Sequence, residues 1–493
     1  MENTRKTRMG VLDNLEPKAV FKYFEEICNI PHASYHEEAI SDYLVRFAVL
    51  HGLEYYQDDL FNVVMIKEAT PGYENVEPII IQGHMDMVAE KEPDCAKDML
   101  TEGLDLMVEG DFVSANGTTL GGDDGIAVAM GLAILADDSI KHPRIEFVCT
   151  VSEEVGMEGA AGVDLSMLKG HTLLNLDSEE EGYILTSCAG GGTIKISLPV
   201  SREIIEENTV EIAISNLTGG HSGAEIHRGR ANATMVLTRL LTNVYKKTGI
   251  RIVSFEGGSK DNAIPREAKA VVAVSDDKLE ILLKLLDEER KAVCQEFSTT
   301  DPEMKIDINV SEEAGIAGTE ISAVPVKDSI RVLTLINALP NGVIRMSQME
   351  GLTETSLNLG VTRLEEDGIN LIYCVRSNVG VAFKNLTNKL RFIAEALGAK
   401  YEENNVYPAW EYRKDSPLRD KAVKTYEEMF GETPVVTTMH AGVECGLLGS
   451  KIPNLDAISI GPNLYDIHTP QERLSISSTK RMYDFVLKMI EDK

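Results

Sequence analysis

The stretch Ile79-Ile80-Ile81-Gln82-Gly83-His84-Met85-Asp86 runs from an apolar segment straight into a glycine, a histidine and an aspartate. Residues 76–82 read as a buried strand, and ligands of open α/β sheets gather beyond the carboxyl ends of such strands. His84 and Asp86 stand two apart, so on extended chain both side chains leave the same side. A neutral imidazole is a good ligand for zinc-like metals, and a carboxylate behind it fixes its tautomer. Alone the pair is a weak signal; its weight comes from its surroundings.

Before it, a helix is marked by Pro17 in its expected first turn, by Val20, Phe21, Phe24 and Ile27 at helical spacing, and by Pro31 beyond its end. A second helix spans 37–51. After it come an apolar helix over 125–136 and strands over 144–152 and 171–176. Strands alternating with helices argue for an α/β domain with a largely parallel sheet. Past Gly190-Gly191-Gly192 the texture changes. Half-buried strands at 193–199 and 209–215, a helix at 231–247, a strand at 268–274, a charged helix at 278–297 and a strand at 305–310 read as an α+β insert. A similar block follows, with a helix at 329–338, strands at 343–349, 356–361 and 370–376, and a helix at 386–397. The two blocks read as weakly related ferredoxin-like halves. The last hundred residues return to apolar strand and helix signals, including 457–461 and 478–490. The expected architecture is a discontinuous α/β domain with a mixed, largely parallel sheet (1–205 and 395–493), interrupted by an α+β domain over 206–394.

The composition fits this picture. The chain has 493 residues, 43% hydrophobic and 26% charged, which excludes a disordered or fibrous chain. No apolar run approaches the roughly 18–20 residues of a membrane span. With 79 acidic against 48 basic residues the net charge is -31, a surface that repels phosphate backbones and makes nucleic acid an unsuitable partner. The excess reads mainly as solvated acidic surface. The basic, polar start lacks the apolar stretch of a secretory signal. Seven scattered cysteines with no CxxC pair suit free thiols in a reducing cytoplasm and argue against a Cys-ligated zinc site.

Four further motifs repeat the pattern of acids and histidines at strand ends. Gly121-Gly122-Asp123-Asp124-Gly125 opens the apolar helix. The acids there could simply cap it, yet glycines on both sides permit the sharp bend a bridging carboxylate needs. Glu153-Glu154 ends a strand. Adjacent residues leave the chain in different directions, so one can bind metal while the other addresses its water. Asp177 ends another strand, and Ile458-Ser459-Ile460-Gly461 leads through a loop to His468-Thr469-Pro470. Any one is readable as a turn or a solvated charge; five at strand ends across one sheet are not.

Taken together, Gly83-His84-Met85-Asp86, Gly122-Asp123-Asp124-Gly125, Glu153-Glu154, Asp177 and His468-Thr469-Pro470 resemble, in order, the motifs of the M20 metallopeptidases. Within that family the chain looks most like the cytosolic aminoacyl-histidine (Xaa-His) dipeptidases, over almost its whole length. The resemblance implies that His84 and Asp177 hold one metal, that Glu154 and His468 hold the other, and that Asp123 bridges both. It makes Asp86 the residue that orients His84 and Glu153 the general base, and it places a cis peptide at Asp123-Asp124. Asp124, where that branch often has asparagine, has no assigned role. The resemblance further implies that the insert is a lid. Its candidate substrate contacts are His221 between glycines, which is otherwise a loop residue, Asn262, and Arg376, whose fork suits a free carboxylate and whose alternative is a surface ion pair. Glu444, in His440-Ala441-Gly442-Val443-Glu444, is the candidate for the substrate's free amine.

The reaction this implies uses two divalent ions, zinc foremost with manganese and cobalt as alternatives, about 3.5–4 Å apart. Such a pair polarises a peptide carbonyl and lowers the pKa of a bridging water. The expected protein is therefore a cytoplasmic dipeptidase of small unblocked dipeptides, Xaa-His among them, and the resemblance suggests a homodimer formed through the lid. Alternatives are a tripeptidase or N-acyl amino acid deacylase of the same family, and a binding or scaffold protein that has kept the fold without catalysis. Intact Glu153 and Asp86 argue against the scaffold.

Overall fold

Four parallel strands form the centre of an eight-stranded sheet, in the order Ile145–Thr150, Ile79–His84, Thr172–Asn175 and Asp456–Ser459. Antiparallel strands Val63–Lys67 and Glu54–Gln57 extend one edge, and Tyr183–Cys188 then Val435–Met439 extend the other. The parallel strands are short, buried and rich in Ile, Val and Leu, as strands covered on both faces must be. Their register levels the carboxyl ends: His84 pairs with Thr150, and Gln82 and Ser459 both pair with Asn175. The computed structural model describes residues 10–310, 320–347 and 351–492. The chain's first nine residues and the end of the expected strand 343–349 lie outside them.

The chain divides into two compact units, one of residues 1–188, 412–438 and 443–493, the other of 189–411 and 439–442. The expected boundaries at 205/206 and 394/395 differ from these, for a reason the register makes plain. Gly190–Pro199 pairs along its whole length with Gly368–Ser377, and Lys400–Tyr407 pairs on its other side, so both flanking segments join the inserted sheet.

In the first unit the helix Gly122–Ala136 is the central core element, with Gly122 to Leu135 all buried. It packs with Phe21, Phe24 and Ile27 of the helix Lys18–Cys28 in one apolar cluster. Pro17 stands just before that helix rather than in its first turn. A small four-stranded sheet, Leu464–Tyr465, Arg473–Ser475, Phe112–Ala115 and Leu106–Glu109, was not legible in the sequence. It joins the hairpin that carries His468 to the strand leading into Asp123. Among the described residues no helix is long and apolar enough to cross a membrane.

In the second unit one antiparallel sheet combines two β-α-β-β-α-β halves. Asn208–Ser215, Arg251–Gly257, Ala268–Val274 and Lys305–Val310, with the helices Ala233–Thr248 and Asp276–Glu296, make the first. Gly190–Pro199, Thr353–Leu364, Gly368–Ser377 and Lys400–Tyr407, with the helices Val326–Ala338 and Gly380–Ala396, make the second. In each the last strand lies beside the first, so the expected ferredoxin-like pair is present. The second half borrows its first strand from ahead of the first half, which is why a block-by-block reading placed its start too late.

Gly131 sets how closely the core helix meets the sheet, because a Cβ there would lie inside the Phe147 ring's van der Waals surface. Gly131→Ala is expected to cost about 1–3 kcal/mol through overpacking. A denaturation midpoint equal to wild type would show that this contact is looser than described.

Candidate metal centre

His84 closes its strand, and its ring is buried. Nδ1 lies 3.0 Å from the Asp86 backbone carbonyl and 3.4 Å from Asp86 Oδ1. Since a carbonyl only accepts, Nδ1 carries a proton, which leaves Nε2 as the nitrogen that can ligate a cation once its own proton is lost. That Nε2 faces Asp123 Oδ1 at 3.1 Å and Asp177 Oδ1 at 3.6 Å. On the other side of Asp123, Oδ2 lies 3.2 Å from Nε2 of His468, which is 3.0 Å from Glu154 Oε1. Glu154 Oε1 is buried and has no aligned hydrogen-bond donor. Two donor sets therefore share one carboxylate: His84 with Asp177, and His468 with Glu154.

Ligand atoms of His84, Asp123 and Glu154 lie within 4.8 Å of one another, as do those of His84, Asp124 and Asp177. Asp124 enters the second group, but its Oδ2 faces the backbone N–H of His84 at 3.3 Å rather than the imidazole. We therefore place Asp124 behind the donor set. The Asp123-Asp124 peptide is cis, as the resemblance implied.

The electrostatics fit a cation. Burial raises Asp177 to about 6, with Asp123 and Glu154 adding to the rise and His84 opposing it. Burial also pushes Glu153 well above the usual carboxylate range, with Asp177, Glu444 and Glu154 adding to it. Burial alone would lower His84, yet Asp123, Asp177 and Asp86 hold it well above its ordinary value. The close carboxylates of Asp123 and Glu154 lift His468 to about 10. Crowded carboxylates drive protons onto the two imidazoles because these are the nearest groups able to carry positive charge. A divalent ion would supply that charge, and the nitrogen and oxygen donors suit zinc, manganese or cobalt.

Asp86 does more than the sequence implied. Besides facing His84, it accepts the backbone N–H groups of Glu153 (3.0 Å) and Glu154 (3.4 Å) and the Ser34 hydroxyl (2.8 Å). One carboxylate thus ties the His84 strand to the turn carrying Glu153 and Glu154. Glu37 secures the same turn, accepting both the N–H and the hydroxyl of Ser152 at 3.0 and 2.9 Å. Ser152 has φ +53°, a conformation that a non-glycine residue adopts only when held.

Glu444 is fully buried, its Oε2 accepting from Gln82 Nε2 (2.5 Å) and Thr150 Oγ1 (2.6 Å). It is anchored to two of the four central strands rather than open to solvent, and burial raises it to about 7.

The remaining candidates lie in the second unit. His221 Nδ1 accepts from the N–H groups of Gly223 (3.3 Å) and Ala224 (3.0 Å), which leaves Nε2–H as a donor. Burial and then Arg376 lower its pKa. Arg376 is buried, donates to the Tyr407 hydroxyl at 3.1 Å and forms no ion pair among the described residues, so the surface-pair alternative does not describe it. Asn262 is exposed, and its carbonyl accepts from Ser222 N–H at 2.9 Å. His440, which the sequence reading passed over, is held by Ser356 Oγ (2.8 Å) and Asn378 Oδ1 (3.0 Å). Burial, Arg376 and His221 push it down to about 3. Also passed over were Glu472 and Glu179, the latter raised to about 7 by burial and by Asp123 and Asp177. Their only sequence signal was position: Glu179 two residues past Asp177, Glu472 four past His468.

Residues 80–492 match the family model described as peptidase family M20/M25/M40. The chain is 35% identical over 487 residues to the cytosol non-specific dipeptidase of Escherichia coli (strain K12), covering 98% of this chain and 99% of that one. The crystal structure of aminoacylhistidine dipeptidase from Vibrio alginolyticus superposes with a TM-score of 0.90 at 36% identity, covering 97% of each chain. The aminopeptidase PepT structure from Bacillus cereus shares the fold at a TM-score of 0.56 and 16% identity, over 97% of this chain and 98% of that one. With the family model matched from the His84 strand to the C-terminal helix and a relative aligned over nearly every residue, this chain belongs to peptidase family M20/M25/M40.

Proposed function

We propose that this protein is a metal-dependent dipeptidase that hydrolyses small unblocked dipeptides, Xaa-His among them. The observation that carries this reading is Asp123, one oxygen toward each of two imidazoles, with Asp177 and Glu154 completing the two sets. The near full-length similarity to the Escherichia coli dipeptidase and the Vibrio aminoacylhistidine dipeptidase supports the substrate class. The name of the former, a cytosol enzyme, supports a cytoplasmic setting.

In this reading His84 and Asp177 would hold one divalent ion and His468 and Glu154 the other, with Asp123 available to both. Bound there, the ions would polarise the scissile carbonyl and acidify water. The rest is work for the chain's own groups. Asp86 keeps the proton on His84 Nδ1 and fixes the turn of Glu153 and Glu154. Glu153, whose burial favours proton uptake, accepts the proton of the attacking water and returns it to the departing amine. Within the second unit, Arg376 and the Nε2–H of His221 offer donors suited to a carboxylate.

Three outcomes are expected. The protein should cleave a panel of free dipeptides, lose that activity to a chelator and regain it with zinc, manganese or cobalt; inactivity with every metal would favour a non-catalytic binding role. Glu153→Ala should keep its metal content while turnover falls by about 10²–10⁴-fold, the usual contribution of a positioned base; near wild-type turnover would remove the base assignment. Asp86→Asn should weaken metal binding about 10–100-fold by calorimetric titration of the stripped protein. Unchanged affinity would mean that Asp86 orients nothing the metals need.

A further inference from the structure

We infer that Glu472 is a positioning residue that clamps the turn presenting Asp123, so that metal affinity depends on a side chain that faces no metal. The inference rests on the two-metal reading above. Glu472 Oε2 accepts from the backbone N–H of Leu120 (2.7 Å) and Gly121 (3.1 Å), and Oε1 from Gly122 (2.8 Å) and Asp123 (3.4 Å). Four consecutive amides thus converge on one carboxylate that is 2% exposed and has no ion pair among the described residues. Its partners are the turn itself.

Those amides lead into the helix Gly122–Ala136, where no carbonyl of the same helix can receive them. The turn is not helical at Asp123 (φ -86°, ψ 103°) or Asp124, so helix propagation does not set the direction of the Asp123 side chain. Packing closes the remaining freedom. A Cβ on Gly122 would lie 3.2 Å from Glu472 Oε1 and 2.7 Å from Leu464. Gly121 has φ +67°, and a Cβ there would lie 2.9 Å from Met87 Sδ. The clamp also arrives on the loop that brings His468, four residues earlier, to Asp123 Oδ2. One loop therefore sets both the imidazole and the backbone against which it is measured.

A carboxylate is needed for this role. Glutamine has the same length but only one accepting oxygen, and its NH2 group would point at two N–H donors. The test is Glu472→Gln in the full chain, stripped with a chelator and titrated with cobalt(II), alongside a thermal melt of the metal-free protein. The expected result is a metal-free melting temperature close to wild type with cobalt affinity lower by about tenfold or more, the effect typical of residues that orient ligands. The visible spectrum of the cobalt-saturated variant should also differ from wild type. Should Glu472→Gln fail to fold, Glu472→Asp, which keeps the charge but reaches fewer amides, is read by the same criteria. Wild-type affinity and spectrum in the folded variant overturn the inference, even if the metal-free protein melts lower, since the clamp would then serve stability alone. A wild-type protein that takes up no cobalt sinks the two-metal reading itself, a separate outcome.

Discussion

A buried carboxylate with an imidazole at each oxygen is the constraint around which the first unit is arranged. Asp123 and His468 are 345 residues apart in sequence, and their meeting requires the helix start, the small four-stranded sheet and the C-terminal hairpin all to be in place. His84 reaches the other oxygen only because parallel pairing levels its strand with those ending at Thr150 and Asn175. The site thus depends on register: a slip of one residue in the strand Ile79–His84 would turn His84, its terminal candidate ligand, to the opposite face.

Much of this was legible from the residues alone, for identifiable reasons. The strands 268–274 and 305–310 end where the alternation of apolar residues ends. The charged helix keeps its apolar stripe and lies within two residues of its expected bounds. What escaped detection was of two kinds. Exposed edge strands such as Glu54–Gln57 and Lys400–Tyr407 bury little, so they carry no hydrophobic period to read. Strands of two to four residues, as in the small sheet, are too short to show one. At the site, residues offering ligand atoms were visible because acids and histidines at strand ends are conspicuous. Residues that hold those ligands were not, because Glu37 and Glu472 look like any other glutamates in a chain with 79 acids.

The burial of such glutamates changes the meaning of the acidic composition. A net charge of -31 reads first as a solvated surface, yet Glu37, Asp86, Asp123, Asp124, Glu444 and Glu472 are all buried in one unit. Burying a charge is costly unless hydrogen bonds satisfy it. Here three of the six are satisfied in the same way, by backbone N–H groups from turns beyond strand or helix ends: Asp86 by Glu153 and Glu154, Glu37 by Ser152, and Glu472 by residues 120–123.

Ligands must lie beyond the strand ends to converge, and there the ladder that orders the backbone has stopped. Some other acceptor must order those turns, and a neutral one would serve the geometry in part. A carboxylate serves it more strongly, because charge-assisted bonds to N–H are stronger than neutral ones. It also adds negative potential beside the turns that carry Asp123 and Glu154. The same atoms therefore do two things: they hold the turns rigid, and they make a pocket of crowded acids still more favourable to positive charge. A protein that fixed the turns with neutral acceptors would keep the shape and lose part of the field. On this view the buried acids behind the candidate ligands are as much a part of cation recognition as the ligands are, their burial offset in part by the N–H bonds they accept and further by a bound cation.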